Sequence, residues 1–241
     1  MVWSRLRRGR AKSKLPLPGV CGHRRHTLRT ERLLLYTPET WLDLAAALAA
    51  AADPEAQRWL GWDKNILTDA QARETLLQLR PGDTDALRSS PFARSLLVRP
   101  VEPRADLAET LVGVRLSDGR YAGTTELHPG TGEIGGWLAP HSRGQGLGAE
   151  LFGAAALLGH AHLGLETVRA GHETTNTASA RALAAAGFVA GDGPPRHTLA
   201  DGREIDSLWL RHTATGPTSR CRGAGPVMTH ERAEGSDAEG Y

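Results

Sequence analysis

The spacing of apolar and polar positions in the first third of the chain predicts one strand followed by two helices. Apolar residues dominate residues 28–36, which favours a strand, and Pro38 then stands where the first turn of a helix tolerates proline. Apolar side chains recur after it at helical spacing, at Trp41, Leu44, Ala45 and Leu48. A second helix is predicted from Thr68, with Gln71 as its capping-box partner, to about Arg80.

The middle of the chain has the pattern of an antiparallel meander. Three strands are predicted, over residues 111–116, 121–127 and 133–138. The turn sequences Asp118-Gly119 and His128-Pro129-Gly130 separate them. Because these turns are short, neighbouring strands are expected to pair with each other.

The remaining pattern alternates helices and strands. A helix is predicted over about 149–163, and its apolar face comprises Leu147, Leu151, Ala154, Ala155 and Leu158. A strand over 167–170 and a helix over 176–186 follow, and further strands begin at Phe188 and cover 206–211. The complete order predicts an α+β fold, a single domain with a mixed, mostly antiparallel sheet flanked by helices.

The segment Arg143-Gly144-Gln145-Gly146-Leu147-Gly148 lies between a predicted strand and a predicted helix. A glycine-rich turn in this position directs backbone N–H groups and a helix N-terminus at one point, which favours an anion such as phosphate or pyrophosphate. Its glycine spacing differs from Gly-x-Gly-x-x-Gly, and it has no Gly-Lys-Ser/Thr ending. The pattern therefore disfavours both a dinucleotide fold and a P-loop.

Arg143, Gly146 and Gly148 resemble the Arg/Gln-x-x-Gly-x-Gly/Ala phosphate loop of the GNAT superfamily of N-acetyltransferases. The resemblance extends over about residues 28–212 and implies the acetyltransferase fold. Four further segments resemble the RimJ/RimL-type branch, which includes ribosomal-protein N-terminal acetyltransferases. They are Thr30–Leu35; Glu133–Leu138, with Gly136 in place of the usual tyrosine; Asn176–Ser179 followed by Gly187-Phe188; and Asp53–Trp62.

The resemblance implies acetyl-CoA as cosubstrate and direct attack of an acceptor amine on its thioester. The backbone amides of Arg143, Gly144, Gln145, Gly146, Leu147 and Gly148 are then expected to hold the pyrophosphate. Backbone groups of Trp137 and Leu138 are expected to bind the pantetheine arm. Asn176 is expected to cap its helix, to bond the cofactor arm, or both.

Two residues are catalytic candidates by the same resemblance. Ser179 matches a serine that protonates the leaving thiolate, although it also suits a polar position in the first turn of a helix. Glu133 lies where family members carry a glutamate that acts as base through water or positions the amine, although it also suits a solvent-facing charge. The carboxylate that the branch carries before its last strand has no clean match, so His197 or Asp201 is its substitute.

Trp59 and Trp62 fall in a segment that flanks the acceptor site in the family. We expect them to pack on the acceptor side, and a core role for one of the two indoles fits the sequence equally well. The acceptor is either a protein N-terminus or a small amine, because the acceptor loops have the least sequence pattern.

Charge divides the chain into a folded part and tails. Of 29 basic and 27 acidic residues, residues 1–27 carry eight basic and no acidic ones, so the remainder is net acidic. We interpret 1–27 as a basic disordered tail, 28–212 as the domain and 213–241 as a disordered tail. The basic tail either contacts nucleic acid or is merely an unstructured start. A homodimer is also compatible with the pattern.

Composition points to a bacterial cytoplasmic protein with no membrane partner. The chain is 40% hydrophobic and 23% charged, rich in Ala, Gly and Arg, and has no apolar run near the roughly 20 residues of a membrane span. Cys21 and Cys221 stand at opposite ends, without disulfide or metal-ligand spacing, and we expect no metal. The competing hypothesis for function is a non-catalytic acyl-CoA-binding or interaction module with a nucleic-acid-touching tail.

Overall fold

The computed structural model describes residues 21, 24–62, 70–78, 101, 109–218 and 221. Its first two strands, β1 (Thr27–Arg29) and β2 (Leu33–Tyr36), form an antiparallel hairpin. The sequence predicted a single strand over 28–36, which is wrong, because the chain reverses after Arg29. The Thr30 amide donates to the Leu33 carbonyl (2.9 Å), which closes the turn.

Three helices follow, α1 (Trp41–Ala51), α2 (Pro54–Leu60) and α3 (Ala70–Gln78). Thr40 and Asp43 form a capping box at the start of α1, which therefore begins after Pro38 rather than at it. Asp53 caps α2 by accepting from the Glu55 and Ala56 amides, and Pro54 occupies the first turn. The predicted start of α3 at Thr68 lies outside the described residues.

The meander forms as predicted, with strands β3 (Glu109–Arg115), β4 (Tyr121–His128) and β5 (Glu133–Leu138). The glycine-rich loop leads into α4 (Leu147–Leu157), which continues as a π-helical turn over Leu158–His162. The later elements are β6 (Thr167–Glu173), α5 (Thr177–Ala185), β7 (Val189–Ala190), β8 (Arg196–Thr198) and β9 (Glu204–Thr213).

In the part of the chain that the structure describes, nine strands form one sheet in the order β1-β2-β3-β4-β5-β6-β9-β7, with β8 paired to β9. Every pairing is antiparallel except that of β5 with β6. Two apolar clusters cover its two faces. One contains Leu151, Phe152 and Leu183 of α4 and α5, and the other contains Leu42 and Leu76 of α1 and α3. This mixed, mostly antiparallel sheet between helices confirms the predicted fold class.

The parallel pair β5–β6 is joined only near its start. Glu133 and Arg169 are its single registered pair, and the Arg169 amide donates to the Gly132 carbonyl (2.8 Å). Beyond that point β5 stays paired with β4, whereas β6 stays paired with β9. The two strands therefore separate toward Leu138 and Glu173, and the gap between them opens the sheet next to α4 and α5.

Residues near both termini pack against the domain. His26 is buried ahead of β1, Arg24 forms an ion pair with the buried Glu109, and the Cys221 amide donates to the His162 carbonyl (3.1 Å). Arg24 and His26, which the sequence assigned to the basic tail, thus contact the domain. Most of the two expected tails lies outside the described residues. Within the residues that are described, no helix is both long and apolar enough to cross a bilayer.

Candidate functional site

The glycine-rich loop has the backbone conformation that an anion-binding turn needs. Gly144 (φ 70°) and Gly146 (φ 75°) are left-handed, and Gly146 is the N-cap of α4. The amides of Gly144, Gln145 and Gly146 have no hydrogen-bond acceptor within the described parts of the chain. Three consecutive open amides at a helix N-terminus carry partial positive charge, which suits a phosphate group.

The β1–β2 hairpin contacts the glycine-rich loop and the first turn of α4. Glu150, in the first turn of α4, accepts from the Arg32 amide (2.9 Å) and from the Thr30 hydroxyl, and it forms an ion pair with Arg32. Arg32 also donates to the Gln145 carbonyl (2.7 Å). Burial alone would raise the pKa of Glu150, but these hydrogen bonds from Thr30 and Arg32 lower it. Glu150 thus stays charged and keeps the loop fixed.

The side chain of Arg143 connects the loop to α2. Its guanidinium forms an ion pair with Asp53 (2.7 Å) and donates to the Leu138 carbonyl (3.2 Å). Asp53 is also the N-cap of α2, so one carboxylate joins the helix start to the loop. Arg143 therefore has a bracing role that sequence reasoning did not foresee beside its predicted contribution to phosphate binding.

A cavity of about 180 Å³ lies between the loop, α2 and α5. Predicted cofactor residues that line it are Trp137, Leu138, Arg143, Gly148 and Asn176. The Trp137 indole itself points into the core, where it donates to the Ala47 carbonyl (3.1 Å), so only its backbone is available to a ligand. Gly148 is required by packing, since a Cβ there would lie 3.0 Å from Ala182.

A second cavity, of about 240 Å³, adjoins the first across the splayed strands. Its polar lining includes Glu133, His172, Glu173 and His197, and the Trp209 indole forms part of its wall. Trp59, Leu60, Gly136, Phe152, Asn176 and Ser179 line both cavities. The two cavities are therefore neighbouring chambers of one cleft, with α5 at their junction.

Helix capping positions Asn176 and Ser179 at the junction of the two chambers. The Asn176 side chain caps α5 by accepting from the Ser179 amide (3.0 Å), which is one of its two predicted roles. The Ser179 hydroxyl has no hydrogen-bond partner in the described parts of the chain and lines both chambers. A hydroxyl in this position is able to exchange a proton with a group bound in either chamber.

Glu133 lies on the wall of the second cavity, at the closed end of the β5–β6 gap. Its carboxylate is 3.6 Å from the Arg169 guanidinium, and its side chain is 34% exposed. Arg169 in turn stacks on Trp209 (5.0 Å to the ring). The partial exposure leaves Glu133 accessible to a water or an amine, while the ion pair fixes its orientation.

His197 and Asp201, the two candidates to replace the missing carboxylate, lie in different environments. His197, on β8, lines the second cavity. Asp201 forms an ion pair with Arg203 (2.7 Å), and Arg203 donates to the Arg58 carbonyl at the end of α2 (3.0 Å). Asp201 thus fastens the β8–β9 hairpin to α2, and His197 is the member of the pair that faces the cleft.

Trp59 and Trp62 also lie in different environments. Trp59 lines both chambers and donates to Glu55 (3.1 Å). Trp62 packs edge-on against Trp137, with ring centroids 4.8 Å apart, and belongs to the core under α1. The sequence allowed either a place on the acceptor side or a place in the core for these residues. The fold puts Trp59 on the cleft wall and Trp62 against the core.

Trp209, His172 and Glu173 are cleft residues that sequence reasoning missed. A signal for Trp209 exists in the glycines beside it, because a Cβ at Gly171 or Gly193 would lie 3.1 Å or 2.2 Å from its ring. This steric signal can be recognised only when the pairing of β6 with β9 is known. The Nδ1–H group of buried His172 donates to the Glu173 carbonyl (2.8 Å), which orients its ring.

A family model described as the acetyltransferase (GNAT) domain matches residues 32–189, well over half of the chain. The chain belongs to the GNAT family. It is accordingly an N-acetyltransferase, as its sequence resemblance implied. Comparison with curated proteins gave no significant match.

Solved GNAT structures share the fold at low sequence identity. A GNAT-family acetyltransferase from Bacillus anthracis is 16% identical with a TM-score of 0.53, over 78% of this chain and 98% of its own. A spermidine N-acetyltransferase from Vibrio cholerae, solved with CoA and spermine, is 14% identical with a TM-score of 0.52, over 76% and 96%. A microcin C7 self-immunity acetyltransferase, solved with acetyl-CoA and AMP, is 13% identical with a TM-score of 0.51, over 77% and 94%.

The expectation that the chain has no metal site is not supported by the structure. The sequence put Cys21 and Cys221 in separate tails, but the fold brings both thiols next to His26 and His162. Spacing along the chain was the only criterion for that expectation, whereas these four residues converge through tertiary contacts.

Proposed function

We propose that the chain transfers the acetyl group of acetyl-CoA to an amine that binds in the second cavity. The observation that carries this proposal is that Asn176 and Ser179 line both chambers of the cleft. A donor with its pyrophosphate at the open amides of 144–146 would extend through the first chamber toward Ser179. The acceptor would then approach from the opposite side, which is the arrangement that direct transfer requires.

The chemistry balances with groups of the cleft. The amine nitrogen attacks the thioester carbonyl, the C–S bond breaks, and the CoA thiolate leaves. The ammonium first gives one proton to solvent, and after the attack the nitrogen loses a second proton toward Glu133 or His197 through water. The Ser179 hydroxyl protonates the thiolate, and water carries a proton from the base back to the Ser179 oxygen. The products are the acetylated amine and CoA, so the reaction needs no oxidant or reductant.

The acceptor that the second cavity favours is a cationic amine. Glu133 and Glu173 contribute carboxylates to its lining, and Trp209 adds an aromatic face. A protein N-terminus and a small amine both present such an ammonium group. The spermidine acetyltransferase among the solved relatives acts on a small polyamine.

Membership of the RimJ/RimL-type branch fits the contacts of its motif segments. Thr30 and Arg32 hold Glu150, and Asp53 holds Arg143, so both segments stabilise the phosphate loop. These contacts give a physical reason for residues that otherwise lie far from the cleft. A protein N-terminus is therefore the first acceptor to test, followed by small amines.

The test is acetyl transfer by the full chain to N-terminal peptides and to a panel of small amines. Ser179→Ala should lower kcat by about a hundredfold while leaving acetyl-CoA affinity unchanged. Thr177→Ala, on the same helix turn but outside both cavity walls, is the matched control. A normal kcat in Ser179→Ala would limit Ser179 to a structural role. Acetyl-CoA binding without transfer to any amine would favour the non-catalytic module instead.

A further inference from the structure

A second cluster of reactive side chains lies outside the cleft, where the two ends of the described chain meet. Cys21, His26, His162 and Cys221 each offer one potential ligand atom, and these four atoms lie within 4.8 Å of one another. The Cys21 Sγ is 3.1 Å from the His162 Nδ1, and the Cys221 Sγ is 3.5 Å from the His26 Nδ1. The two imidazoles meet edge to face, with centroids 5.4 Å apart.

Backbone hydrogen bonds position His26 and join Cys221 to His162. His26 exchanges two bonds with Thr37, from its amide to the Thr37 hydroxyl (2.9 Å) and from the Thr37 amide to its carbonyl (3.0 Å). His162 ends the π-helical turn after α4 and accepts from the Cys221 amide (3.1 Å). Single π turns are rare and are frequently found at functional sites. The ligand atoms are therefore brought together by the fold.

The separations match a tetrahedral metal site. With Zn–S near 2.3 Å and Zn–N near 2.0 Å, the ligand atoms of such a site lie about 3.3–3.8 Å apart. The S···N distances of 3.1 Å and 3.5 Å lie just below and within this range. The full set of ligand atoms spans up to 4.8 Å, so the side chains must draw closer together around an ion.

We propose that Cys21, His26, His162 and Cys221 bind one Zn²⁺ ion. Two thiolates neutralise the charge of the ion, and a Cys₂His₂ set is a donor combination that zinc favours. None of the four residues lines either chamber of the cleft. Four protein ligands leave no open position, so the ion has a structural role, tying the segment before β1 and the segment after β9 to the end of α4.

The site is a property of this chain rather than of the matched family segment. That segment spans residues 32–189 and contains only His162. The other three ligands belong to regions that the sequence alone assigned to the tails or their border. A bound ion would thus extend the ordered domain at both ends.

The first test is the metal content of the full chain, purified under reducing conditions without a metal-affinity step. We expect about one zinc per chain, and replacement by Co²⁺ should give thiolate-to-cobalt charge-transfer bands and the intense bands of tetrahedral cobalt. Less than about a tenth of an equivalent of zinc, together with no such cobalt spectrum, would overturn the proposal. The cobalt measurement uses the unaltered protein and needs no variant to fold.

Variants then identify the ligands. Cys21→Ser and His162→Gln should each weaken zinc affinity by at least about tenfold, since even second-shell changes weaken metal binding by that amount. His160→Gln is the matched control, because His160 lies in the same π turn but contacts Leu165 and His212. Equal zinc affinity in the three variants would refute the ligand assignment. A Cys21–Cys221 disulfide in protein kept under reducing conditions would refute it as well.

Discussion

Gly146 allows a direct test of the anion site. It is left-handed at the N-cap of α4, and a Cβ there would contact only Arg32, 3.4 Å away. Gly119, in the turn between β3 and β4, has nearly the same φ (70°) and open space around it. A side chain at either position costs about 1–2 kcal/mol of backbone strain. The two glycines therefore form a matched pair that differs in what lies nearby.

Gly146→Glu adds a carboxylate beside the amides that we assign to the pyrophosphate. At about 6 Å from one phosphate charge and an effective dielectric constant of about 20, the repulsion is about 2.8 kcal/mol. This corresponds to about a hundredfold increase in Kd. Gly146→Gln has a similar size and strain without the charge, so the difference between the two variants isolates the electrostatic part.

The assay is calorimetric titration of the full-length variants with CoA, at low and high salt. We expect Kd to rise in the order wild type, Gly146→Gln, Gly146→Glu, and the difference between the last two to shrink as salt screens the repulsion. Gly119→Glu should lose similar stability but bind CoA like the wild type. Equal Kd values for Gly146→Glu and Gly146→Gln, or for Gly146→Glu and wild type, would refute the loop as the pyrophosphate site.

Two further predictions concern the support of the cleft. Hydrogen bonds to Glu150 lower its pKa, although burial alone would raise it. The charged carboxylate therefore stabilises the fold at pH values above its ordinary pKa of 4.5, and this stabilisation is lost as the pH falls through the lowered pKa. Glu150→Gln should therefore be less stable than wild type at pH 7 in urea unfolding, and a stability difference that does not shrink as the pH falls below 4.5 would contradict the reasoning. Gly193→Ala would put a Cβ 2.2 Å from the Trp209 ring, so the indole or the backbone at Gly193 must shift at the wall of the second cavity. We expect a higher KM for the acceptor with unchanged acetyl-CoA affinity, and the opposite pattern would show that Trp209 serves the donor chamber.

The sequence predicted elements well where turn residues bound them. β5 covers the predicted 133–138 because the Pro129-Gly130 turn precedes it and Pro140 follows it. The reversal between β1 and β2 was missed because Thr30, Glu31 and Arg32 include no glycine or proline. Contacts with Glu150, more than a hundred residues away, hold that turn. The helix α2 was overlooked although Asp53-Pro54 is a helix-start signal, since its seven residues give little periodicity.

The cofactor side of the site was easier to predict than the acceptor side. A phosphate loop depends on backbone conformation, and the alternating glycines 144, 146 and 148 reflect that requirement within one short segment of sequence. The cleft residues His172, His197 and Trp209 come from three strands that meet only after β9 inserts beside β6. The roles of Ser179 and Glu133 stay predictions, although both residues line the cleft.

Different structural elements border the two chambers, and this bears on which part of the protein determines acceptor preference. The donor chamber is built around the loop and the start of α4, which Arg32, Glu150 and Arg143 fix by charged contacts. The acceptor chamber is walled by the β8–β9 hairpin, which is fastened to α2 through Arg203. Because α2 borders both chambers and Arg143 forms an ion pair with its N-cap, α2 is one route by which a change in the hairpin reaches the first chamber. We therefore expect substitutions in the hairpin to change acceptor preference more than they change CoA affinity.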